Sequence, residues 1–149
     1  MPQSFKEQVV GTWKLVEYSM VNETGEKVYP LGERATGFLM YTADGYMSAQ
    51  LMSDKERPVF EGKALHTGST EQMAAAAHGY HAYAGKYEVD EANQTLYHHM
   101  EVSLIPNRLG QVQDRLVQIK GKQIIITSTV TANTIIWERA ENHSQNHSG

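Results

Sequence analysis

Two residues in this sequence have the chemistry to act on a small molecule rather than only to fill space: His98 and Arg115. Histidine titrates near working pH and can give or take a proton. His98 sits in an alternating stretch with Leu96, Met100 and Val102 on its own parity and Tyr97, His99 and Glu101 between them. On a strand, successive side chains face opposite ways, so the charged set turns to water and His98 turns inward. Arg115 shares its parity with Val117 and Ile119, which aims a guanidinium at the same interior. A buried guanidinium needs a partner. Two are open to it: Glu17, which falls on the inward parity with Trp13 and Leu15, or the carboxylate or enolate oxygen of a guest.

The stretch 80–89 extends the set. Lys86 and Glu88 share one face, which leaves His81, Tyr83, Tyr87 and Val89 on the other. Tyr41 turns inward alongside Leu39, and Met100 adds a flexible thioether. An apolar bowl with a few polar hooks is the usual make-up of a small-molecule pocket. In such a bowl His98 moves a proton, Arg115 stabilises negative charge, and Glu17, Tyr41, His81, Tyr83, Tyr87 and Met100 contact the ligand. Each hook also has a plainer role, because interior tyrosines and histidines commonly serve as core residues hydrogen-bonded to their neighbours.

These positions fall on short runs of period two at 11–20, 37–42, 46–51, 80–89, 95–104, 113–120, 123–128 and 131–138, with a further short run at 27–31. The links are short and rich in turn residues, as in Ala43-Asp44-Gly45, Lys120-Gly121-Lys122 and Ala132-Asn133, which suits antiparallel neighbours. The expected fold is all-β, an antiparallel up-and-down barrel of about eight strands. One excursion, 53–79, interrupts the rhythm and holds the only convincing helix. Ser69 caps it, Gln72 completes a capping box and Gly79 ends it. A loop of that length in a small domain is a candidate lid. The domain then covers 5–139, and the polar stretch 140–149 reads as a disordered tail.

Composition narrows the partners. The net charge of −4 and the scatter of Lys and Arg leave no basic stripe for nucleic acid. No stretch approaches the length of a membrane span, and the first residues lack the features of a signal peptide. With no cysteine, there is neither a thiolate nucleophile nor a sulfur metal site, and the cytoplasm is the expected compartment. His66, His78, His81, His98 and His99 lack the spacing of a chelate, so no metal is expected. The glycines around 79–85 imitate a phosphate loop, but the spacing is one residue too long and Tyr87 stands where a hydroxyl residue binds magnesium. No nucleophile elbow or dinucleotide fingerprint is present, so any catalysis is expected to need no cofactor. The small apolar partner is compatible with a monomer or a homodimer.

Across 10–139 the chain resembles the bacterial and fungal lipocalin-like domain family, relatives of the calycin barrels. The residues that carry the resemblance are Gly11-Thr12-Trp13, Tyr29-Pro30-Leu31-Gly32, Gly37-Phe38-Leu39-Met40-Tyr41, Asp44-Gly45-Tyr46, the segment 80–87, and His98-His99-Met100 with Pro106-Asn107. The resemblance implies a barrel with an internal pocket, floored by Trp13 on the first strand with Arg139 of the last strand laid over its indole. A guanidinium on an indole is also favourable in its own right. The resemblance implies two functions, and the inward His98 and Arg115 favour the first, with the second as the alternative. One is cofactor-free isomerisation or cyclisation of a polyketide-like or terpenoid-like metabolite. The other is non-catalytic carriage of a small hydrophobic ligand.

Overall fold

The computed structural model describes residues 3–144. In chain order the strands are β1 (Gly11–Val21), β2 (Lys27–Val28), β3 (Thr36–Tyr41), β4 (Tyr46–Met52), β5 (Tyr80–Asp90), β6 (Thr95–His99), β7 (Val102–Ser103), β8 (Val112–Lys120), β9 (Gln123–Thr127) and β10 (Asn133–Arg139). Helix α1 (Phe5–Val9) precedes β1 and helix α2 (Thr70–His78) lies between β4 and β5. Neighbours in the sheet run β10-β9-β8-β6-β5-β4-β3-β1, and β1 pairs back onto β10, so eight antiparallel strands close a barrel with β2 and β7 as short additions. Closure leaves the barrel without long free edges. Among the described residues no helix is long and apolar enough to cross a membrane. Residues 140–144 form neither helix nor strand, and 145–149, the rest of the expected tail, lie outside the described residues.

Helix α1 is absent from the sequence-based expectation, although its signal is local. Ser4 accepts from the Glu7 N–H while the Glu7 carboxylate accepts from the Ser4 N–H, a reciprocal cap that supports a single turn. Its Phe5 and Val9 are buried and plug one end of the barrel. There the expected floor pair is in place. The Arg139 guanidinium lies 3.9 Å from the Trp13 ring centroid, and Arg139 donates to the carbonyls of Val10 (2.7 Å) and Gln8 (2.6 Å). The Trp13 indole N–H donates to the Val9 carbonyl at 2.9 Å. Gly11 makes the close approach feasible: its φ is +128°, and a Cβ there would collide with the guanidinium. Gly11→Ala is therefore expected to lose about 1–3 kcal/mol from backbone strain alone, read as a lower urea midpoint.

Two irregularities redirect side chains. Opposite β10, Leu15 pairs with Trp137 and Glu17 with Ile136, so Val16 is an unpaired bulge residue. The bulge reverses the inside and outside faces for the rest of β1. Tyr18 turns in, while Glu17 turns out and binds Lys27 at 3.0 Å. The expected single run 95–104 is also broken. Met100 and Glu101 leave the ladder, and the Glu101 carboxylate accepts from the Lys86 N–H at 2.6 Å. The chain can bend inward here because Gly85 opposite has no side chain, and a Cβ on it would strike the His99 carbonyl.

The excursion forms the helix that the capping residues foretold. Ser69 and Gln72 cap each other reciprocally, and the Gly79 N–H closes the end on Ala75. Residues 53–69 carry no regular structure but are tied to α2, with Arg57 donating to the Ala76 carbonyl at 2.8 Å and the Glu61 N–H donating to Gln72 at 3.1 Å.

Candidate functional site

Away from the plugged floor, the barrel holds a cavity of about 640 Å³, within the range of pockets that enclose a small organic molecule. Its deep walls are apolar and include Leu39, Leu51, Ile126, Ile135 and Trp137. Ala74, Ala77 and His78 of α2 form part of the rim, with Ile105, Pro106 and Arg108 from the segment that follows β7. Three polar groups come from neighbouring strands: Tyr83 of β5, His98 of β6 and Arg115 of β8.

These three form a chain of contacts that extends behind the cavity wall. His98 is 1% exposed and uses both ring nitrogens, Nε2 with the Tyr41 hydroxyl at 2.7 Å and Nδ1 with the Tyr83 hydroxyl at 2.9 Å. Burial and the nearby Arg115 charge hold the His98 pKa well below its usual 6.5, so the ring is neutral at pH 7. A neutral imidazole has one donor and one acceptor nitrogen. Bond counting assigns them. The Tyr41 hydroxyl is fully buried and has no other hydrogen-bond partner among the described residues, so it must donate to Nε2 or strand its proton. Nδ1–H then donates to the Tyr83 oxygen, which also receives a longer contact of 3.4 Å from Arg115 Nη2. With its oxygen accepting twice, Tyr83 has its own O–H free to donate into the cavity.

Arg115 donates through Nη1 to the Asp114 carbonyl (2.7 Å) and through Nη2 to Gln113 Oε1 (2.9 Å) besides Tyr83. Glu17, one of the two partners open to it, is on the outer face, because strand parity does not survive the Val16 bulge. Tyr41, Tyr87 and Met100 are buried as expected, yet they lie behind the cavity wall rather than on it. Tyr41 and Tyr87 stack edge to face at 4.9 Å between centroids, and the Tyr87 hydroxyl donates to the Thr42 carbonyl at 2.6 Å. Both have raised pKa values, mainly through burial. Met100 was displaced from the wall by the break after β6. His81 and Tyr83 do line the cavity, their rings 5.4 Å apart. Burial first, then Arg108 and Arg115, lower the His81 pKa to about 4, and its Nδ1 has no hydrogen-bond partner.

Several wall residues escaped the sequence reading, among them Tyr18, Asn133 and Arg108. Tyr18 was hidden by the bulge, and Asn133 had been assigned to a turn when it begins β10. Arg108 ends a short 3-10 turn that starts at Pro106, the one signal that marked the place.

Neutral buried histidines have a consequence for stability against pH. The unfolded chain takes up these protons near pH 6.5, whereas the folded chain resists doing so until about pH 4 at His81 and until well below 6.5 at His98. The unfolded state therefore binds more protons in that window, and stability falls as pH drops through it. Urea midpoints should be level above pH 7 and decline below 6.5, with His98 alone contributing up to about 1.4 kcal/mol per pH unit. His81→Gln is expected to make the decline shallower. A midpoint that rises between pH 6.5 and 5 contradicts the neutral assignment.

A closed antiparallel barrel with a Trp–Arg floor and a cavity open at the other end is the lipocalin type of architecture. The chain belongs to the lipocalin-like domain family, whose sequence profile matches residues 10–146. It is 38% identical over 90 residues to the 4'-hydroxy-3'-methoxypropiophenone carrier protein of Aspergillus oryzae, a match that spans 56% of this chain and 79% of that protein. Among solved structures it is similar to a lipocalin-like protein of Bacteroides uniformis (TM-score 0.48, 12% identity, 89% of this chain and 99% of that one). A second structure, from Bacteroides eggerthii, matches with TM-score 0.47 and 13% identity over 89% of this chain and 99% of that one.

Proposed function

We propose that this protein is a carrier of a small, largely apolar molecule that bears an oxygen acceptor, such as an aryl ketone. The observation that carries this reading is the Tyr83 hydroxyl, fixed by His98 and Arg115 so that its proton is offered to a cavity whose deep walls are apolar. An oriented donor against apolar walls selects a guest by its acceptor while apolar contact supplies affinity. The Aspergillus relative, by its name a carrier of an aryl ketone, supports the same direction. A lack of cysteine favours the reducing cytoplasm as the place of work.

A second function, cofactor-free isomerisation or cyclisation, is favoured by the same contacts, since a proton could pass between a guest oxygen and His98 through Tyr83. The neutral state of His98 and the engagement of both its ring nitrogens by Tyr41 and Tyr83 weigh toward carriage. Calorimetric titration with the ketone named above separates the cases. Saturable one-site binding is expected, with at least tenfold weakening in Ala77→Trp, which fills the rim without entering the core, and the ketone recovered unaltered. Recovery of a rearranged product, lost in Tyr83→Phe, would establish turnover. If neither this ketone nor propiophenone binds and native mass spectrometry finds the protein empty, carriage is refuted.

A further inference from the structure

The cavity wall is electrostatically one-sided. The sequence holds 17 acidic and 13 basic residues, yet among the described residues no aspartate or glutamate lines the cavity, while Arg108 and Arg115 both do. The two arginines have no acid to meet. Arg115 makes its three contacts with neutral acceptors, and of its five N–H groups two are left without a partner among the described residues. The carboxylate next to it in sequence, Asp114, is turned away and accepts from Ser128 at 3.1 Å and Thr129 at 2.5 Å. The Arg108 guanidinium has no hydrogen bond or ion pair among the described residues. Both charges act on the same space, since both disfavour a proton on His81 and both favour loss of one from Tyr18.

A guanidinium facing an apolar hollow is poorly solvated, and an anion is the guest that most relieves it. We propose that the cavity takes its guest as an oxyanion on an apolar body. The carboxylate, or the acidic phenol or enol oxygen, sits against the free N–H groups of Arg115 and the Tyr83 hydroxyl, with Arg108 at the rim. This rests on the small-molecule reading above and adds the charge of the guest to it. A negative charge also explains why a protein with net charge −4 keeps every carboxylate off the cavity wall.

A matched pair of probes tests this by calorimetry at fixed pH: a naphthalene carboxylate and the corresponding carboxamide, alike in shape and unlike in charge. The carboxylate is expected to bind at least tenfold more tightly, with the margin shrinking as salt rises. Arg115→Met should remove the preference, weakening the carboxylate by a larger factor than the carboxamide, and Arg115→Lys should restore part of it. Should Arg115→Met fail to fold, the wild-type comparison and Arg108→Gln, expected to narrow the margin, carry the test. Equal binding of the two probes, or tighter binding of the carboxamide, overturns the oxyanion assignment and leaves carriage standing. If the carboxylate, the carboxamide and propiophenone all fail to bind, both ideas fall.

Discussion

Trp13→Ala is expected to destabilise the protein by about 3–5 kcal/mol, the range for truncating a large aromatic side chain in a core. Trp13 is 2% exposed, and three separate interactions end on it. Its indole fills the barrel floor, its N–H satisfies the Val9 carbonyl, and its face carries Arg139. Truncation removes the first outright and leaves α1 with an unpaired carbonyl and a guanidinium with no ring beneath it. The change is measured as the loss in free energy from urea unfolding followed by circular dichroism. Trp13→Phe should cost less, because it keeps an aromatic face for Arg139 and gives up the N–H bond. A loss below about 1 kcal/mol for Trp13→Ala would mean that the floor is ornament rather than support.

The second large effect concerns the buried hydrogen bonds behind the cavity. His98→Leu keeps volume but leaves the Tyr41 hydroxyl without a partner in a site closed to water, at an expected cost of about 2–4 kcal/mol. Tyr41→Phe alone strands the Nε2 acceptor and is expected to cost about 1–3 kcal/mol. The double variant removes both halves of that bond, so its loss should fall short of the sum by about 1–3 kcal/mol. It should nevertheless bind guests poorly, because Tyr83 no longer has Nδ1–H to set the direction of its hydroxyl. Stability and binding are thereby expected to part company in one protein. Strictly additive losses would show that the Tyr41–His98 contact carries no free energy of its own.

Much of the barrel is written in period-two alternation, because one face of each strand is buried and the other wetted. The inward positions of His81, Tyr83, His98 and Arg115 followed from that pattern, as did the Trp13–Arg139 pair from the resemblance. Parity counts residues and assumes an unbroken ladder. It therefore failed at Val16, where one extra residue moved Glu17 outside and Tyr18 inside, and again after His99, where Met100 dropped behind the wall. Parity also cannot tell depth. Tyr41 and Tyr87 face inward yet stand in the layer beneath the cavity, a distinction that depends on how far along the barrel axis each residue lies. Arg108 was out of reach for another reason, since it belongs to a turn whose placement over the opening depends on chain segments distant in sequence. Helix α1 was the opposite case, a short element with a complete capping box at Ser4 and Glu7 and two apolar residues that needed a barrel end to cover.

Helix α2 buries none of its nine residues, although Ala74 and Ala77 face the hollow beneath. A helix that short has little stability by itself and leans on its caps and on the loop bonded to it. A guest below it would supply the apolar floor that the helix otherwise lacks. Loading and local order are then one equilibrium, in which the tighter the guest is held, the less often the backbone amides of α2 open to exchange with solvent. For a carrier, release is then expected to follow the fraying of this helix, read as faster amide exchange in α2 when the cavity is empty.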